Sequence, residues 1–157
     1  MKVKIAKDWR KHISPVTKER LDCAIRFGIE HFELDRYDRT IYVVFTDHID
    51  NDGTVGLHHY YPRKTYNVIE ILAKNRFWLE MASTIFHEMT HVKQTITKEL
   101  VFHTDSTLWQ NQIVPKDTGY WDLPYEVDAR VQQRALTRKW LWYRFKMWLT
   151  KGKRYGT

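Results

Sequence analysis

A single cysteine, Cys23, stands among 157 residues. Neither a disulfide framework nor a cysteine-ligated zinc ribbon is therefore open to this chain, and such usage fits a reducing compartment. No run of apolar residues approaches the length of a membrane span. Residues 1–10 alternate Lys with Val and Ile and never form the uninterrupted apolar stretch of a secretory signal, so a cytoplasmic location is expected. Internal repeats, low-complexity segments and linkers are also missing, and residues 1–157 are expected to form one domain.

What is present points to a globular chain with a real core, 43% apolar and 15% aromatic. The formal charge of +7 favours contact with nucleic acid, an anionic surface or an acidic partner, but charge describes surfaces and not chemistry. Chemistry enters at His87-Glu88-Met89-Thr90-His91. The pattern predicts a helix over 75–97, because Trp78, Met81, Ile85, Met89, Val92 and Ile96 recur every three or four residues as one apolar stripe, with Asn75 as its N-cap. His87 and His91 fall off that stripe, about 40° apart around the axis and one turn apart, so both imidazoles can reach one tetrahedral ion. Glu88 stands beside them, free to act as a base.

The preceding segments read as a mixed α+β arrangement. Met1, Val3 and Ile5 alternate with lysines as a short strand. Ser14-Pro15 opens a helix to about Leu34 that buries Val16, Leu21, Ala24, Ile25, Ile29 and Phe32. Thr40–Thr46, β-branched and aromatic, should lie inside a sheet. Asn51-Asp52-Gly53 signals a turn, and two further strands, 55–61 and 65–72, flank the break at Pro62, the second read as an edge strand on its alternation. His58 and His59 are adjacent, point to opposite faces of their strand, and are expected not to be metal ligands. Residues 100–102 and 107–109 suggest a hairpin, and a loop over 115–122 precedes a long helix from about Tyr125 to Leu149 that opens at Pro124.

Two histidines need a third protein ligand if the fourth position of a catalytic zinc is to stay open. The first turn of the last helix offers Glu126, with Ala129 one turn on for close packing; Asp128 competes, but lies about 200° round the helix, so only one of the two can face the ion. With both motifs in view, His87-Glu88-x-x-His91-Val92-Lys93-Gln94 followed by Tyr120-Trp121-x-x-Pro124-Tyr125-Glu126-x-Asp128-Ala129, the chain resembles the gluzincin class of zinc metallopeptidases, and more narrowly the small SprT-like or phage-encoded minimal metallopeptidase-like proteins. The resemblance implies a zincin-like core: a mixed twisted sheet of three to five strands, an N-terminal helix, the motif helix and a long C-terminal helix. It also implies that His87, His91 and Glu126 bind Zn2+, that Glu88 is the general base for peptide-bond hydrolysis, and that the substrate is a protein or peptide. Tyr120, with Tyr125 and His103 as alternatives, is the candidate to stabilise charge on the carbonyl oxygen.

A second expectation is a metal-binding structural or interaction protein of zincin shape, phage-associated or associated with nucleic acid, in which the basic C-terminal helix makes the useful contacts. In that helix Arg130, Arg134 and Arg138 form a basic row, and Leu136, Trp140, Tyr143 and Met147 form a core-facing stripe. Trp142, Phe145 and Trp148 are left needing cover, by nucleic acid, an anionic surface or a partner.

Overall fold

The computed structural model describes residues 1–50, 53–61 and 63–152, with the backbone alone for 151 and 152. Of the turn read at Asn51-Asp52-Gly53, Asn51 and Asp52 lie outside the described residues, as does the break at Pro62, while Gly53 lies in a turn at φ 75°. The described elements run β1 (Lys2–Ile5), α1 (Pro15–His31), β2 (Thr40–Thr46), β3 (Gly56–Tyr60), β4 (Tyr66–Leu72), α2 (Trp78–Ile96), β5 (Leu100–Phe102), β6 (Thr107–Trp109), β7 (Gln112–Val114) and α3 (Pro124–Gly152). The chain is thus mixed α+β, with three α-helices and two sheets among the described residues.

The larger sheet has the order β1-β2-β4-β3. β1, β2 and β4 are parallel, while β3 runs antiparallel to β4. In both β2 and β4 alternate side chains are buried: Ile41, Val43 and Phe45 from one, Asn67, Ile69 and Ile71 from the other. These alternate positions share one face of the sheet, the face on which the core is built. The edge position read for 65–72 is incorrect. β4 lies between β2 and β3, and β3 is the edge strand beside it. Alternation reports that one face is covered, and an internal strand with one open face alternates just as an edge strand does.

Ser14 caps α1 as expected, accepting a hydrogen bond from the Thr17 amide at 3.1 Å. The helix ends at His31, three residues before the expected end, and Leu34 is buried in a following 3-10 turn. Val16, read as core, is 58% exposed in the first turn; Leu21, Ala24 and Ile25 are buried as expected, with Gly28 beside them, and Ile29 and Phe32 pack partly buried against the core. Helix α2 starts at Trp78, not beside Asn75. Asn75 takes a left-handed turn conformation (φ 58°), and Glu80 closes the helix start by accepting from the Phe77 amide at 2.8 Å.

Of the stripe along α2, Met81, Ile85, Met89 and Val92 are buried in the one core cluster, with Trp78 and Ile96 packed against it. That cluster also takes Leu136 and Trp140 from α3. Trp140 is fully buried, edge-on to Trp78 and Phe86 at ring separations of 5.7 and 5.8 Å. Tyr143 and Met147 do not follow it inside, because the helix runs on past the core and leaves both exposed. The small sheet β5-β6-β7 is antiparallel. Its first two strands are the expected hairpin, and the third, β7, was not anticipated.

Candidate metal centre

Three elements meet at the site. α2 carries His87 and His91 on the face turned away from its apolar stripe and Glu88 at the border of that stripe, and the first turn of α3 brings Glu126 to the two histidines. Strand β3 forms the other wall, with Gly56, Leu57, His58 and Tyr60 lining a cleft of about 610 Å³ that His87, Glu88, His91, Tyr120, Tyr125 and Glu126 also line. The close packing of α3 on α2 rests on Ala129, which is fully buried, and on Gln133 donating to Ser83 Oγ at 3.0 Å.

The donor atoms converge. His87 Nε2 and His91 Nε2 lie 3.1 Å apart. Glu126 Oε2 is 3.3 Å from His87 Nε2, and its Oε1 is 3.3 Å from His91 Nε2. Ligands held at zinc distances on a tetrahedron are separated by about 3.3 Å, the edge that follows from bonds of roughly 2.0–2.1 Å. Two imidazole nitrogens and a carboxylate at that spacing therefore fit a divalent ion with one coordination position left open. They are the one such group among the described residues.

Asp128 does not join them. Its Oδ2 accepts from Gln94 Nε2 at 2.8 Å, and Gln94 Nε2 also donates to the Tyr125 carbonyl at 3.0 Å. Both partners are acceptors, so the amide of Gln94 can be assigned: its nitrogen faces α3 and its oxygen faces His91. Gln94 Oε1 lies 2.8 Å from His91 Nδ1, which must donate to it. Nδ1 of His91 therefore carries a proton: in the neutral imidazole this leaves the Nε2 lone pair directed at the centre, and in the protonated imidazole Nε2 also donates to Glu126 Oε1. Gln94 and Asp128 thus orient His91 and stay outside the converging group. The sequence signal was present, since Gln94 is three residues beyond His91 and lies on the same helix face.

The charges at the centre are strongly coupled. Burial by itself would raise the Glu126 carboxyl, but hydrogen bonds with His87 and His91 outweigh it and hold the group well below the usual carboxylate range. Burial likewise works against charge on His91, yet the hydrogen bond to Glu126 and the charge of Glu88 raise it. Glu88 is raised above the ordinary carboxylate value, chiefly by burial. Its carboxylate packs against the backbone of β3: a Cβ built on Gly56 would stand 2.8 Å from Glu88 Oε1.

Tyr120 donates from its hydroxyl to Glu126 Oε2 at 3.1 Å and is pushed up to about 12 by burial and by the Glu126 charge. It sits in a short 3-10 turn, Tyr120–Asp122, pinned by Arg130, whose guanidinium lies over the Trp121 ring and donates to the Trp121 carbonyl. Tyr125 lines the cleft as well, whereas His103 is exposed in the β5–β6 turn and is not among the lining residues. His59 points to the other face of β3, where it meets Glu70 at 3.3 Å. His58 faces the cleft outside the converging group, its Nε2 3.1 Å from Asn67 Oδ1. Among the described residues no helix is long and apolar enough to cross a membrane. Comparison with protein-family models, with curated proteins and with solved structures returned no match to this chain.

Proposed function

We propose that the chain is a zinc-dependent metallopeptidase of zincin-like architecture. The observation that carries this reading is the convergence of His87 Nε2, His91 Nε2 and Glu126 at 3.1–3.3 Å beside the buried carboxylate of Glu88, on the wall of an open cleft. His87, His91 and Glu126 would hold the ion; Zn2+ held there supplies a Lewis acid that polarises a carbonyl and acidifies a water.

Glu88 then has one task, to take a proton from the attacking water and pass it to the departing amine. Its position suits this, because it is held between α2 and the β3 backbone and is only 5% exposed. Strand β3 offers the substrate a guide. Among the described residues its outer edge is unpaired within the sheet, and an extended peptide can add to such an edge through main-chain hydrogen bonds. Phe102, Tyr125 and Leu100 give the facing wall an apolar character that suits an apolar or aromatic side chain. Tyr120, at the rim with its hydroxyl already directed at the centre, is the donor best placed for a carbonyl oxygen developing negative charge.

The test pairs metal content with hydrolysis. Glu88→Gln keeps a full equivalent of zinc and loses peptide cleavage by about two to four orders of magnitude, the usual contribution of a general base. A zinc-loaded wild type that cleaves nothing in a broad panel of unfolded proteins and peptides would sink the peptidase reading and leave a metal-binding structural or interaction protein.

A further inference from the structure

The positive surplus of the chain is not spread over its surface. After Asp128 the sequence holds nine Lys and Arg and no Asp or Glu, whereas residues 1–128 hold 17 Lys and Arg against 19 Asp and Glu. Seven of those nine cations belong to helix α3. Some of its cations are occupied, Arg130 on Trp121 and Arg144 on Trp78 and Trp140. Arg134, Arg138, Lys139 and Lys146 are exposed, the Lys146 ammonium lying over the Trp142 ring at 5.1 Å.

The same helix presents an apolar face to solvent. Val127, Val131, Leu141, Trp142, Phe145, Trp148 and Leu149 are all 38–70% exposed. At 100° per residue they fall within an arc of about 120°, on the side opposite Leu136 and Trp140. Arg134 and Arg138 lie within the arc, and Lys139 and Lys146 border it. Trp142, Phe145 and Trp148 stack in series, with ring separations of 5.8 and 6.2 Å and interplanar angles of 26° and 27°.

We propose that this outward face of α3 lies on an anionic lipid bilayer, with Trp142, Phe145, Trp148 and their aliphatic neighbours entering the headgroup boundary and the exposed cations meeting lipid phosphates. Trp and Phe with Lys and Arg along one helix side are the composition of an interfacial helix, and the helix is too polar to span. Single-stranded nucleic acid fits less well. The rings stack on one another and leave no gap for a base between them, and Leu141 and Leu149 offer bases nothing to stack on. A second copy of the chain would bring its own unneutralised cations against these.

The inference stands apart from the hydrolytic reading, and its test uses the full chain. Co-sedimentation is measured with vesicles of phosphatidylcholine and phosphatidylglycerol at three to one, and with phosphatidylcholine alone, in physiological salt. The chain is expected to pellet with the anionic vesicles only. Trp142→Ala with Trp148→Ala should weaken that binding at least about tenfold, and each of Arg138→Gln, Lys139→Gln and Lys146→Gln about fivefold. All five positions are exposed, and zinc content should not change, which separates lost binding from lost folding. Equal binding to both vesicle types, no binding to either, or an unaffected double tryptophan variant overturns the proposal. Failure on vesicles together with salt-steep binding to an oligothymidylate would assign the face to nucleic acid instead.

Discussion

Gly56→Ala perturbs the contact between the edge strand and Glu88, the proposed base. A methyl at this position would stand 2.4 Å from Thr84 Cγ2, 2.8 Å from Glu88 Oε1 and 3.1 Å from Glu88 Cγ. Ordinary contacts start near 3.4 Å, so the overlap with Thr84 is about 1 Å. Thr84 cannot readily yield, since it is 3% exposed, β-branched on a helix, and its hydroxyl donates to the Glu80 carbonyl at 3.0 Å. Swinging Glu88 aside would leave the Thr84 overlap in place, so β3 moves outward by about 1 Å and withdraws the wall against which Glu88 is held. Overpacking of this kind costs about 1–3 kcal/mol, which for a chain of this length lowers Tm by roughly 3–10 °C. If Glu88 is the base, as proposed, a displacement of about 1 Å once that wall withdraws should reduce hydrolysis by about a hundredfold. Zinc content should persist, because none of the atoms crowded by the methyl belongs to His87, His91 or Glu126. Gly119→Ala is the control: its methyl meets only Asp122 Oδ2, at an ordinary 3.7 Å, so Tm and activity should be unchanged. Thermal denaturation, metal analysis and peptide cleavage on both variants decide it. A Gly56→Ala protein with wild-type Tm and wild-type cleavage would refute the packing of Glu88 on β3.

Other consequences follow from the same geometry. Gln94→Ala removes the acceptor that keeps the His91 proton on Nδ1 and should weaken zinc binding by about 10–100-fold in a competition titration, while Gln94→Glu, which retains an acceptor, should lose less. His58 is lowered to about 4, chiefly by burial, against an ordinary 6.5. The unfolded chain therefore takes up this proton first, and stability is full above pH 6.5 and falls as the pH drops towards 4, by on the order of 3 kcal/mol in all. Urea titrations of chelated wild type and His58→Asn at pH 7 and pH 4.5 should show a smaller acid loss in the variant; equal losses would dismiss His58 as the source. Trp140→Ala empties the fully buried junction of α2 and α3 and should cost about 3–5 kcal/mol in the same assay.

The fold was legible where periodicity had one cause. Along α2 the three-and-four spacing of Met81, Ile85, Met89 and Val92 marked the buried stripe, and β2 declared itself by composition. Reading failed where one pattern serves two situations. Alternation in 66–72 is a record of one covered face and is silent on neighbours, so it misplaced β4 at the edge that β3 occupies. The stripe Leu136, Trp140, Tyr143 and Met147 has constant spacing, but a helix carries its pattern past the end of the core, and only the first two residues are buried. Val16 fails likewise at the open first turn of α1. Asn75 has the side chain of a cap, yet its backbone at φ 58° serves a turn, which asparagine tolerates better than most residues.

At the site, helical geometry was enough to bring His87 and His91 together, because four residues on one helix leave little freedom. Choosing between Glu126 and Asp128 needed the orientation of α3 against α2, which no local pattern contains. The structure turns Glu126 towards the histidines and Asp128 towards Gln94. These two acidic residues divide the work through their positions on one helix turn, one reaching the centre directly and the other through Gln94 and His91. Exchanging them tests that division: Glu126→Asp shortens the reach of the carboxylate and should lower zinc affinity sharply, while Asp128→Glu lengthens a hydrogen-bond partner and should lower it mildly. The reverse order in a zinc competition titration would make Asp128 the ligand and dissolve the relay through Gln94.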